Sequence, residues 1–169
     1  MKAFIIILQF LLVFSKMSLA QPNKLEIETS WRYLSSTLIK RNDVILKLDN
    51  TFQGTKSTYK LQTSSLRKKA VELTKFLNTI KSIDKLSVNK ASLLHTEIVE
   101  KMNLLLTSIE KDSNIQKDNN LRDLIVQLEG IENRIAVDKE RYNTDCNTAS
   151  KPYLKFDLTT PNNIPEVKF

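Results

Sequence analysis

An all-α fold, an antiparallel up-and-down four-helix bundle with long coiled-coil-like helices, is what this sequence predicts. Three observations lead there. The 169 residues hold 2 glycines and 4 prolines, and none of the prolines (Pro22, Pro152, Pro161, Pro165) falls between residues 23 and 151. Sheet-rich and doubly wound folds need frequent turns of Gly and Pro, and this interval has none of the prolines. The apolar residues recur instead at alternating steps of four and three, the spacing that keeps one stripe of a helix turned toward a partner. That spacing appears four times, separated by short polar stretches.

The first stripe runs Ile27, Trp31, Leu34, Leu38, Ile45, Leu48, Phe52 and Tyr59, with the charge of Arg41 inside it and a break offered at Gly54. A second comprises Leu66, Ala70, Leu73, Leu77 and Ile80. Residues 81–89 lose the pattern and read as a connection. The third stripe is Ala91, Leu94, Ile98, Met102, Leu105 and Ile109. Residues 110–114 then supply turn chemistry, and Asp118 or Asn119 can cap the last helix, because short polar side chains accept from the first free amides of a helix. The last stripe is Leu121, Leu124, Leu128, Ile131, Ile135, Asp138 and Tyr142. Short connections between amphipathic helices make antiparallel neighbours.

Composition divides the chain into three segments. Residues 1–20 read as a signal peptide or signal anchor: Lys2 precedes an apolar run over 3–14, and Ser18-Leu19-Ala20 offers small residues for cleavage before Gln21. The run is shorter than the ~20 residues of a membrane span, and extending it takes in Lys16. Cleavage would release a periplasmic or secreted protein, and retention would tie it to the membrane through residues 3–20. Residues 21–150 form the bundle, and 151–169 form an extended tail with Tyr153, Phe156 and Phe169 as apolar anchors that lies along the bundle or stays loose.

Charge excludes little beyond nucleic acid. The net +7 loses Lys2 and Lys16 on cleavage, leaving 24 of 26 basic residues against 19 acidic ones, or +5. The charge is spread thinly, with Arg67-Lys68-Lys69 the densest cluster, whereas a nucleic-acid surface concentrates charge and adds stacking aromatics. Weak attraction to anionic lipid is compatible with it. Catalytic and cofactor sites are not expected. A carboxylate di-iron bundle needs two Glu-x-x-His motifs, and the single histidine, His95, follows Ser92 by three residues. His95 and Met102 share one helix face and cannot clamp a haem from both sides. His95 reads as a residue flanking the Leu94 stripe, and Cys146, the lone cysteine, as a small apolar filler. Neither makes a nucleophile–base pair. No enzyme, no cofactor and no metal is expected.

The segment Leu128-Glu129-Gly130-Ile131-Glu132-Asn133-Arg134-Ile135-Ala136-Val137, followed by Arg141-Tyr142-Asn143, resembles the signature of the LemA family. Trp31 and then Lys40-Arg41-Asn42-Asp43-Val44-Ile45 resemble that family's Trp and its paired-basic, Asp-Leu-Ile stretch. The likeness covers 27–59 and 93–169, while 60–92 matches only in being helical. It implies an N-terminal membrane segment, an exported domain and an antiparallel four-helix bundle, without an established activity or cofactor. Departures are Leu46 for a usual Pro, Asp112-Ser113 for Tyr-Pro, Asp138 for a small residue and Ala149-Ser150 for a second Tyr-Asn.

Eight positions are candidates for structural or interaction roles: Trp31, Arg41, Asp43, Glu132, Asn133, Arg134, Tyr142 and Asn143. Trp31 is expected to anchor the core. A guanidinium on an apolar stripe must find a carboxylate or reach water. The antiparallel register places Arg41 near Glu132, with Asp138 a more distant partner and snorkelling to solvent the alternative. Asn133, Arg134, Tyr142 and Asn143 form either a polar network or an exposed recognition surface. The function expected is an interaction or scaffold module for unknown envelope proteins, with membrane association through the N-terminal segment. A carrier holding a lipid or other apolar ligand within the bundle is the alternative.

Overall fold

The computed structural model describes residues 2–53, 59–110, 112 and 115–156, with the backbone alone at 2–23 and 116. Four helices account for the bundle: α1 (Lys2–Gln53), α2 (Lys60–Thr79), α3 (Lys85–Ile109) and α4 (Asn119–Thr148). Single 3-10 turns lie at Ile115–Lys117 and Pro152–Leu154. The side chains of the N-terminal 3–20 segment, read above as signal or anchor, lie outside the described residues, as does Phe169. Among the described residues no helix is long and apolar enough to cross a membrane.

Helix α1 is the hub, packing on α2 along one flank and α4 along the other, while α2 packs on α3. Contacts between α1 and α4 run in opposite directions, Trp31 to Tyr142 and Arg41 to Glu132. Asn42 to Thr74 and Asp49 to Arg67 show the same for α1 and α2. The topology is the expected up-and-down one. Helices α3 and α4 approach each other less closely, and the turn at Pro152–Leu154 touches both.

Each helix buries a stripe of alternating four- and three-residue steps. On α1 it is Ile27, Trp31, Leu34, Leu38, Arg41, Ile45, Leu48 and Phe52, all buried. On α3 it is Val88, Ala91, His95, Ile98, Met102, Leu105 and Ile109. On α4 it is Leu121, Ile125, Leu128, Glu132, Ile135, Lys139, Tyr142 and Cys146. Burying one leucine-sized side chain is worth about 1.5–3 kcal/mol, so these stripes supply the cohesion of the bundle.

Three boundaries differ from the sequence reading. Helix α3 starts at Lys85, inside the stretch read as a connection, because Asp84 accepts from Ser87 N at 2.8 Å and Val88 is already in the core. Tyr59 leads into α2 rather than ending α1. Its ring packs 5.6 Å from Phe52, and its hydroxyl reaches Asp112 Oδ2 at 3.2 Å. In the tail, Leu154 and Phe156 are the buried anchors, while Tyr153 is 55% exposed. Asp118 caps α4, accepting from Leu121 N at 3.1 Å.

Candidate functional site

Midway along the bundle the apolar stripes are interrupted by charge. Arg41 on α1 is fully buried, and its Nη1 lies 3.2 Å from Glu132 Oε1 on α4. The pair anticipated from the antiparallel register is formed, and the snorkelling alternative is not. The same Nη1 lies 2.7 Å from Nδ1 of His95 on α3, and the guanidinium also donates to Asn42 Oδ1 at 3.1 Å. Asn42 in turn donates to Thr74 on α2 at 2.9 Å. Arg41 therefore links α1, α3 and α4 directly, and α2 through Asn42. Lys139, two turns beyond Glu132, is fully buried.

His95 corrects the sequence reading. It is 2% exposed and on the seam, not beside it. Burial, followed by the positive charges of Arg41 and Lys139, pulls its pKa well below 6.5. A neutral ring that accepts from Arg41 at Nδ1 carries its proton on Nε2. Burial also lowers Arg41, against the opposing pull of Glu132. A charge at a seam position costs stability and fixes register, since any slip leaves it in apolar surroundings without its partner.

Asp138 does not compete for Arg41. It takes a hydrogen bond from Thr37 at 2.7 Å and pairs with Arg134 Nε at 3.1 Å. One carboxylate oxygen thus has a hydrogen bond from α1, and the other has an ion pair within its own helix.

Toward the end of α4, Tyr142 and Asn143 hold the tail. The Tyr142 hydroxyl donates to Leu154 O at 2.9 Å, and burial raises its pKa. The Asn143 amide donates to Phe156 O at 3.0 Å and accepts from Phe156 N at 2.8 Å. The Phe156 ring then packs 6.4 Å from Trp31 and 5.6 Å from His95. Trp31 and Tyr142 are 5.3 Å apart. So Trp31 is the core anchor expected, and Tyr142 and Asn143 form a buried network. Asn133, Arg134 and Asp43 are exposed, and of these Arg134 touches the network through Asp138. Cys146 is buried beside Tyr142, and burial raises its thiol pKa.

Of the residues that carried the family resemblance, Trp31, Arg41, Glu132, Tyr142 and Asn143 thus join α1, α4 and the tail, and Arg41 reaches α3 through His95. A family model, that of the LemA family, matches residues 30–169. The chain belongs to the LemA family. The match runs through 60–92, so the LemA unit includes α2 and the start of α3, where the local likeness is only helical. No curated protein and no solved structure matches the chain. Among the described residues no group of three or more His, Cys, Asp or Glu side chains could hold a metal ion.

Three residues escaped the sequence reading. The burial of His95 and Lys139 was missed, although both sit on the four-and-three spacing, and Leu154 was not named beside Phe156 as an anchor of the tail strap over 154–156. In α4 that spacing continues from Leu128 through Glu132, Ile135 and Lys139 to Tyr142. Following apolar residues alone shifts the stripe onto Ile131, which is only partly buried.

Proposed function

We propose that this LemA-family bundle is a non-enzymatic interaction module of the cell envelope, working through protein contacts on its outer surface. The observation that carries the reading is a row of leucines on α3. Leu86, Leu93 and Leu104 are 82%, 60% and 68% exposed. They are spaced seven and eleven residues apart, close to two and three helical turns, so they form one line ~27 Å long. With Lys90, Glu97 and Glu100 between them on the same line, these outward leucines offer a mixed apolar and charged surface to a partner.

The buried polar layer supports the same reading from the other direction. Arg41 is engaged with both Glu132 and His95, and Phe156 packs on the His95 ring, so the buried charge serves the register of the helices. A carrier with its ligand inside the bundle would need room along the seams, and leucine, isoleucine and aromatic side chains occupy them. Envelope association is part of the proposal, supported by the apolar 3–14 segment and by membership of the LemA family. The partner is an envelope protein.

A photo-reactive amino acid at position 93 of the full chain, expressed in bacterial cells, tests it. The reading expects a discrete adduct in the envelope fraction that weakens when Leu86 and Leu104 become Glu. The same probe at exposed Lys68 of α2 gives the background. Indistinguishable adduct patterns from the two positions would overturn the proposal.

A further inference from the structure

Helix α2 ends well before α1 does. Asn42 faces Thr74, so in an antiparallel pair Asn78 comes level with Leu38. At Ile80 the backbone turns extended, at φ −70° and ψ 111°, and residues 80–84 cross to α3. The part of α1 on the N-terminal side of that level has no α2 beside it. A groove of about 600 Å³ opens there, between α1 and the crossing segment. Its size is that of a small-molecule site.

The groove has an apolar floor and a cationic rim. Ile39, Leu77, Ile80 and Ile83 line the floor with the edge of Trp31, which is 7% exposed. Arg32 and Lys40 stand on the α1 side and Lys81 on the opposite one. None of these three cations takes an ion pair or a side-chain hydrogen bond among the described residues. The one carboxylate lining the groove, Glu28, already faces Lys24 at 3.7 Å. Asp84, next along the chain, is used by Ser87 N. Ser36, Asn78 and Ser82 line the groove as well and are exposed.

From this arrangement we infer that the groove is a binding site for an anionic amphiphile, a molecule with one acidic head and an apolar chain. The three cations from opposite walls take the head, and the isoleucine floor takes the chain. An apolar ligand without charge would leave the cations unused, and a small inorganic anion would leave the floor wet. The site lies on the bundle surface and is independent of the α3 leucine row.

Trp31 is the one tryptophan of the chain and lines this groove, so a quencher seated there acts on a single indole. Dibromostearate, whose bromines quench a nearby indole, is titrated into the full chain. The methyl ester of the same acid is the uncharged probe, and circular dichroism checks that the helices persist. The inference expects saturable quenching by the acid and little by the ester. It also expects binding about tenfold weaker in R32Q/K40Q/K81Q, whose changes are all at the rim. Ile83→Glu, at the floor, should abolish it. No saturable quenching, or equal quenching of the triple variant, would overturn the site. Quenching by bilayers of dibrominated phosphatidylglycerol but not by the monomeric acid would also overturn it, and would identify a membrane-facing surface instead.

Discussion

Arg41 donates from Nη1 to Nδ1 of His95 across 2.7 Å, joining helices whose residues are 54 positions apart in the chain. The contact dictates a protonation state. An imidazolium would present N–H to N–H at that distance, so the ring is neutral while the contact lasts. It also commits the only histidine to the interior, where it responds to pH through stability.

Acidification should therefore weaken the fold in a defined window. The folded pKa of His95 lies well below 6.5, through burial first and then the charges of Arg41 and Lys139. The groups facing it are Arg41 from α1, Lys139 from α4 and the Phe156 ring from the tail, with Glu132 behind Arg41. Between the folded value and 6.5 the unfolded chain binds a proton that the folded chain refuses. This contribution to stability is complete above 6.5, falls as pH drops through the window, and levels off once the folded value is reached. The slope approaches, at most, about 1.4 kcal/mol per pH unit. Urea unfolding at a series of pH values should show it in the native chain and a flatter line in His95→Gln; parallel lines would refute the assignment.

Breaking the Arg41–Glu132 pair on one side should cost more than removing both members. Arg41→Met leaves the 3%-exposed Glu132 without its main counter-charge, and Glu132→Leu leaves Arg41 buried with His95 and Asn42. Each single change is expected to cost about 3–5 kcal/mol. The double change R41M/E132L should cost less than either single change, far short of their sum, in a double-mutant cycle. Additive losses would mean that the two side chains act independently.

The amphipathic spacing made the architecture legible from the sequence, because an apolar stripe at 3.5-residue period has few ways to be buried other than against other helices. Arg41 was legible for the opposite reason, since a charge on such a stripe demands a partner and the register named Glu132. His95 was not, because it follows Leu94, and both are buried; choosing the more apolar of two adjacent residues moved the stripe by one. Lys139 was hidden in the same way beside Asp138. The strap was half legible: aromatic residues in a Pro-rich tail announce an anchor, but whether Tyr153 or Phe156 turns inward depends on where the chain reverses.

Phe156 should matter as much as a residue of the helices. Its ring is 1% exposed and fills the space between Trp31 and His95. Phe156→Ala is expected to cost about 3–5 kcal/mol, as for other buried phenylalanines. Asn143→Ala should cost about 2 kcal/mol, because it strands a backbone N–H and C=O of the strap. Denaturant curves followed by Trp31 emission measure both, and emission should shift to the red in Phe156→Ala before unfolding begins. Losses below ~0.5 kcal/mol would show that the strap is a surface appendage.

The reversal that sends the strap back along α4 rests on Ser150, whose φ of 56° is the one left-handed value at a non-glycine residue among those described. Around it Ser150 N bonds Asn147 O at 2.9 Å and Lys151 N bonds Cys146 O at 2.8 Å, the double closure that usually has glycine at its left-handed position. A side chain there costs about 1–2 kcal/mol, while glycine costs about 0.5–1 kcal/mol in chain entropy. Ser150→Gly should therefore stabilise the protein by about 0.5–1 kcal/mol, raising the midpoint of thermal unfolding. Its effect should shrink in Phe156→Ala, where the strap no longer draws the chain into the left-handed turn. A destabilised S150G would instead mean that the serine side chain contributes more at this reversal than its backbone strain costs.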